Sequence, residues 1–524
     1  MSYQTAQWIY PKAPFSEGYV DNTQSLYLKD GQSPYLRNAR LDWQSIIIRP
    51  WHSLFASLTA GSYPKGMGSY LRTSSANDVM VVRHNTDATH KLYTLTAGGT
   101  LTSIVTGSDI ASDNRMVFQN VADVIYCMNG SDYFGKLSWT TYTVPSTGVS
   151  NFAPAFSVVF NGSHWASGHA AFPNKVYKSV ADNYEDFNSA GADTYTFQET
   201  ITGLSANLEA LFYFTKNTIS VTGIGDITDT AGTLTFANRA LNVKEWSVNH
   251  ASIVEAGINT FYVTPSNKIC RVAKGQSIDW FEVLELSERA YKGISTVMST
   301  LDIDQTASFG YYLPKENLIK WFFKTSGATF NDICIIYDMT KDAFLVDSQK
   351  FFYDGLFFKG VNYTISMLEP KVYQDEYAQD DEDSPIPFEY WTKEFYISDP
   401  TYKKILWETR TLLDINELAS LTQEIWIDGG LKDTKTVDID NFNIAAGWLW
   451  TSAIGEEAIG EVGWGDWIDN MEEIYILRTK GCLNKKGRKI QFKFTNNSLA
   501  WKVRLKNISM KVEVLDPLTN NLTT

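Results

Sequence analysis

Residues 78–105 read DVMVVRHNTDATHKLYTLTAGGTLTSIV. Three runs rich in β-branched and aromatic residues, Asp78 to His84, Lys91 to Leu95 and Leu101 to Val105, are separated by turn-forming Asn, Asp and Gly, the signature of a meander of short strands. The rhythm continues at Arg115 to Phe118, Val124 to Met128, Ser157 to Phe160, Val176 to Ser179, Ala210 to Phe214 and Ile219 to Thr222. It persists at Thr260 to Val263, Ile269 to Val272, Ser308 to Leu313, Leu318 to Phe323 and Ile333 to Tyr337. Grouped, the runs give units of about 40 to 50 residues starting near Ser69, Asp113, Phe156, Asn207, Ser252 and Thr306. This predicts an all-β protein with a β-propeller-like domain of about six blades over residues 69–374. No WD dipeptide or kelch glycine pair recurs, and a stacked array of β-sandwiches is the competing arrangement. One helical signal lies at Ile278 to Ser295, where Phe281, Leu284, Leu286 and Ala290 fall roughly on one side.

Upstream, Asp30 to Trp51 reads DGQSPYLRNARLDWQSIIIRPW: a turn, an extended Ser33-Pro34-Tyr35-Leu36, then Ile46-Ile47-Ile48 closed by Arg49-Pro50. It holds no nucleophile, base or metal cluster, and residues 1–68 are expected to be an N-terminal docking segment joining a C-terminal platform. Downstream, Asp375, Glu376, Asp380, Asp381, Glu382 and Asp383 precede Ser384-Pro385-Ile386-Pro387, so residues 375–387 are expected to be a solvated acidic linker. Beyond it, Phe388 to Tyr396, Ile405 to Leu413, Gln423 to Ile427, Glu473 to Leu477, Lys489 to Phe494 and Lys502 to Val514 predict an antiparallel β-sandwich over residues 388–524.

Composition narrows the function. With 59 acidic against 45 basic residues and a net charge of −14, unguided affinity for nucleic-acid phosphate is not expected, whereas a wall past which DNA slides would benefit from this sign. The 16 Trp, 28 Tyr and 29 Phe suit half-buried strands and subunit contacts. Cys127, Cys270, Cys334 and Cys482 are scattered singly and read as buried thiols. The N-terminal MSYQTAQWIYPKAPF lacks a basic and then apolar signal pattern, and no run of about 18 apolar residues occurs, so synthesis in a cytoplasm without stable membrane insertion is expected. Gly130 to Lys136 matches GxxxxGK, but Leu137 replaces the Mg²⁺-binding Ser or Thr and the segment lies between strands. His164 and His169 read as exposed turn histidines without a third metal ligand nearby, and nothing marks out a pair of carboxylates for glycoside hydrolysis. No catalytic residue, metal or cofactor is assigned, and the chain is not expected to be an enzyme.

The order VFQNVADVIYCMNGSDYFGKLSW (Val117 to Trp139), SHWASG (Ser163 to Gly168), NLEALFYFTKNTISVTG (Asn207 to Gly223), Gly275 to Phe281, ICIIYDMTKDAFLV (Ile333 to Val346) and the closing Gly487 to Leu515 resembles the tail hub and tail nozzle proteins of short-tailed bacteriophages, including the packaged-DNA stabilisation and tail tubular B-like groups. The resemblance is one of pattern and order and spans most of the chain from Asp30 onward. It implies a virion structural protein built from a β-propeller and a sandwich platform, six copies of which form a ring that extends the DNA exit channel. The implied partners are a portal, adaptor or head-completion protein above, tail fibre, spike or needle proteins, and double-stranded DNA in transit. The implied location is the virion tail, assembled in a host bacterial cytoplasm. The alternative is a receptor-binding or polysaccharide-degrading propeller protein of a tail.

The chain departs from the family pattern in its acidic stretch and in an insertion, NIAAGWLWTSAIGEEAIGEVGWGDWIDN (443–470), carrying Trp448, Trp450, Trp464 and Trp467 among five glycines. Four indoles are too many to leave in water and the glycines too many for an ordinary core element, so these tryptophans are the expected subunit or partner contact; a loop folded back on its own sandwich is the competing reading. Replacing all four by Ser is expected to leave the monomer folded while ring assembly or docking fails, each buried indole at such a contact being worth ~2 kcal/mol or more. Native mass spectrometry of the variant checks this.

Overall fold

The apolar runs seen in the sequence are buried on both faces. In Val79–Arg83, Val79 and Val81 enter one core while Met80 and Val82 enter another. Successive side chains of a strand point to opposite faces, so such a sheet lies between two others and its strands read as unbroken apolar runs. The computed structural model describes residues 6–515 except 12–16, 22–26, 43–44, 59–62, 73–77, 85–89, 107–109, 122, 224–226, 231–232, 237–238, 242–244, 275–280, 291, 304–306, 379–384, 397–402, 416–419, 439–473, 481–485 and 497–502.

Five sheets follow one another as four-stranded antiparallel units, with first strands Met67–Tyr70, Val117–Val121, Phe156–Phe160, Ile201–Ala206 and Val254–Ala256. A sixth is built on Phe309–Leu313, Leu318–Thr325, Ile333–Asp338 and Ala343–Ser348. A seventh comprises Phe352–Phe358, Val361–Ser366 and Lys371–Ala378, and its fourth strand is Trp51–Ser57 from the N-terminal segment. First strands of consecutive sheets adjoin, the fourth and fifth through Glu255 Oε1 accepting from Ala206 N–H at 2.8 Å, and Phe352–Phe358 returns to Met67–Tyr70. Met67 N–H donates to Asp354 Oδ2 across that seam (3.0 Å), and one apolar cluster joins Met80 and Val82 of the first sheet to Tyr363 and Ile365 of the last. The arrangement is all-β and propeller-type.

The structure corrects several expectations. Among the described residues seven sheets stand in the cycle rather than about six, because the last borrows a strand some 300 residues away in sequence and no complete unit of 40 to 50 residues marks it. For the same reason the N-terminal segment is not confined to a platform. The described part of Ile278 to Ser295 holds a strand where a helix is expected: Phe281–Glu285 pairs with Ile269–Lys274, Phe281 and Val283 pack on the neighbouring sheet's core, and the α-helix among the described residues is Ser295–Ser299. The acidic stretch 375–387 is likewise not wholly a solvated linker, Asp375 and Ile386 being buried.

Ile227–Thr230 and Thr233–Phe236 form a separate two-stranded hairpin, Gly18–Tyr19 and Gln32–Ser33 extend the sixth sheet, and two further sheets carry the C-terminal strands. One contains Ile474–Lys480, Lys404–Ile415 and Val503–Val514 and is extended by Ser45–Ile48, Ala39–Asp42 and Gln7–Ile9; the other orders Tyr35–Arg37, Phe388–Trp391, Ile490–Asn496, Ser420–Ile427 and Gly430–Asp438. Each of the six segments expected beyond residue 388 holds a strand among its described residues, the first only over Phe388–Trp391, and N-terminal strands are added to both sheets. Trp448, Trp450, Trp464 and Trp467 lie outside the described residues, between Gly430–Asp438 of one sheet and Ile474–Lys480 of the other.

Close approach of inner strands depends on glycine. A Cβ on Gly355 would stand 2.7 Å from the ring of Tyr311 on the preceding sheet, whereas one on Gly257, a turn residue with φ +64, would meet nothing within 4 Å. Gly355→Val is expected to cost about 1–3 kcal/mol by overpacking. Gly257→Asn, a residue that tolerates positive φ, should stay within about 0.5 kcal/mol of the parent in urea unfolding.

Candidate functional site

Two features of the fold bear on function: a buried ionic joint and an uncharged groove. The joint begins with Asp375 and Glu376. Neighbouring residues of a regular strand face opposite ways, yet both carboxylates enter one cluster. The pairing of Lys371–Ala378 with Trp51–Ser57 shifts register between Gln374 and Ala378, and Glu376 takes a left-handed φ of 59° there, so a bulge turns both side chains inward.

Arg40 meets Asp347 in a bidentate pair, Nη1–Oδ1 2.9 Å and Nη2–Oδ2 2.7 Å, and its Nε donates to Glu376 Oε1 at 3.1 Å. Lys320 Nζ bridges Asp375 Oδ2 (2.5 Å) and Glu376 Oε1 (2.6 Å). Lys350 Nζ holds Asp375 Oδ1 at 2.6 Å, and Tyr311 OH donates to Oδ2 at 3.1 Å. The side chains of Lys320, Asp347 and Asp375 are fully buried. Three cations thus face three carboxylates, and the cluster is neutral. Burial pushes the Glu376 carboxyl upward, but Arg40 and Lys320 outweigh it and hold its pKa at about 2. Lys320 and Lys350 likewise outweigh burial at Asp375, which ends well below the usual carboxylate range.

The solvated-linker expectation is therefore overturned for Asp375 and Glu376, and Ile386 is also buried. Asn38 Nδ2 donates to Pro387 O at 2.7 Å, fixing that end to the N-terminal segment. Asp380, Asp381, Glu382 and Asp383 lie outside the described residues. A signal was available: Lys320 sits within LIKWFFKT, and a lysine in a strand buried on both faces requires a carboxylate partner.

The histidines are corrected too. His164 is buried within the strand Ser163–His169, its Nε2 2.6 Å from Ser157 Oγ and its Nδ1 3.2 Å from Tyr184 O; His169 is buried with Nε2 2.8 Å from Asn151 O. Burial lowers the pKa of His164 to about 4, and that of His250 likewise. Among the described residues no group of three His, Cys, Asp or Glu could hold a metal. Gly130 to Lys136 is a strand-to-strand turn in which Asn129 Oδ1 accepts from the N–H groups of Ser131 and Asp132, while Lys136 pairs with Glu185 at 2.5 Å. Cys127, Cys270 and Cys334 are buried free thiols; Cys482 lies outside the described residues.

The groove, about 450 Å³, is lined by residues 133–134 and 144–152. Its floor is Phe134 and Phe152, both buried, and these rest on Tyr126, Tyr177 and Phe187. Tyr133 stands half-exposed at its wall.

No family model and no curated protein matches the chain. Solved structures similar to it include the computationally designed protein Ika8 (9% identity, TM-score 0.35, 62% of this chain and 99% of that one). YCF48 from Cyanidioschyzon merolae (9%, TM-score 0.38, 62% and 98%) and BBS1N in complex with ARL6DN (9%, TM-score 0.38, 63% and 96%) are others. At these values none of them carries a function to this chain.

Two outcomes test the electrostatics. Lys320→Met is expected to destabilise by about 3–5 kcal/mol in urea unfolding, because it leaves Asp375 and Glu376 undercompensated in the interior. The folded pKa values of His164 and His250, about 4, lie below the usual 6.5, so their contribution is full above 6.5 and lost as pH falls toward 4. Glu376 adds a second loss between 4.5 and about 2. Unfolding measured against pH should show both windows, with the lower one diminished in Arg40→Met.

Proposed function

We propose that the chain is a structural protein of a bacteriophage tail, six copies of which form a ring extending the DNA exit channel below the portal. The observation that supports this best is the sharing of one N-terminal segment among the last two propeller-type sheets and both C-terminal sheets, locked by the neutral ionic joint. A wall of a channel under load needs such stiffness between its parts and needs no chemistry. The two C-terminal sheets are read as a β-sandwich platform, a reading supported by their common core and by Gln423 Nε2 donating to Thr411 Oγ1 between them at 3.2 Å. The order of motifs resembling tail hub and nozzle proteins and the net charge of −14, which suits DNA sliding past, point the same way.

In this reading DNA passes between copies and not along the axis of one chain's sheets. Arg115, just before the second sheet, reaches the carbonyls of Ala307 and Ser308 at 3.1 Å and that of Tyr353, and so crosses the meeting point of the inner strands. A three-dimensional reconstruction of the assembled tail is expected to show sixfold symmetry at this component. Another symmetry, or release of reducing sugar from host polysaccharide by the purified chain, would replace this reading by the receptor or depolymerase alternative.

A further inference from the structure

We infer that the groove at residues 133–134 and 144–152 is a binding subsite for a neutral saccharide, recognised without being cleaved. The inference goes beyond the ring reading and does not depend on it.

The lining supplies the argument. No Asp, Glu, Lys, Arg or His stands among its residues, although 20% of the chain is charged, so the groove offers nothing to an ionic ligand. It offers what a neutral polyol with apolar ring faces requires. The half-exposed Tyr133 ring is a stacking surface, and the exposed hydroxyls and amide of Ser146, Ser150 and Asn151 form a polar rim. The absence of a carboxylate in the lining also argues against hydrolysis there, which takes two.

The groove is held in shape before any ligand arrives. Phe134 N–H donates to Phe152 O at 2.9 Å, tying turn to loop, and the Phe134 and Phe152 rings lie 5.6 Å apart. Asn151 takes a left-handed φ of 53° with its carbonyl 2.8 Å from His169 Nε2, while Gly148, φ +71, is packed so closely that a Cβ would stand 2.5 Å from that of Asn188. A loop fixed at both ends in this way loses little entropy on binding.

The test is saturation-transfer NMR and titration calorimetry of the full chain against maltohexaose, cellohexaose, chitohexaose and, as an acidic counterpart, hexagalacturonate. At least one neutral oligomer should bind in preference to the acidic one, and Tyr133→Ala should weaken it by about tenfold or more. Tyr133 is half-exposed, so the variant keeps its fold; Trp139→Ala, at the other end of the strand Gly135–Ser138, should bind as the parent does. Failure of all three neutral oligomers, preference for the acidic one, or binding that Tyr133→Ala leaves unchanged would overturn the inference. Sixfold symmetry in the tail is a separate result and would stand or fall by itself.

Discussion

Arg40, Lys320 and Lys350 are buried against Asp347, Asp375 and Glu376, and the rest of the architecture is arranged to make that affordable. Charges removed from water are costly unless paired and hydrogen-bonded on every side, so each element that supplies a member of the cluster is constrained by all the others. Arg40 comes from the N-terminal segment, Lys320 and Asp347 from the sixth sheet, Asp375 and Glu376 from the seventh. Apolar burial stabilises each sheet pair but would tolerate sliding. The joint specifies a single register between the segment that closes the cycle and the sheets on which it closes.

Much of this was legible in the chain. Strand runs such as ALFYFT and ICIIYD are apolar throughout because sheets pack on both their faces, and their spacing carries the propeller-type reading. What escaped is non-local. A strand supplied from residues 51–57 to a sheet at 352–378 leaves no periodic trace, so the count of sheets fell one short. An acidic pair at the head of a charge run looks the same in sequence whether it faces water or three buried cations. Only the isolated Lys320 inside an apolar strand hinted at the second case. His164 escaped for a related reason: a glycine and serine-rich context suggests a turn, yet SHWASGH is a buried strand whose imidazole is satisfied by Ser157 and Tyr184.

The two candidate features divide the functional question cleanly. The joint is a mechanical element, and its chemistry is spent on holding positions. The groove is the element proposed for recognition, and what it presents is an uncharged lining beside an exposed ring. The three carboxylates of the joint are each held by a buried cation, and no carboxylate lines the groove; a channel component bearing a saccharide subsite, as proposed, accommodates both.

The N-terminal segment and the last two sheets, tied by the ionic joint, are expected to open as one unit. Native-state hydrogen exchange resolved by segment measures this directly. Trp51–Ser57, Leu318–Thr325 and Lys371–Ala378 should share one opening free energy near that of global unfolding, and Lys320→Met should lower all three together. Exchange of Trp51–Ser57 by an independent, low-energy opening, with the other two strands still protected, would contradict the account.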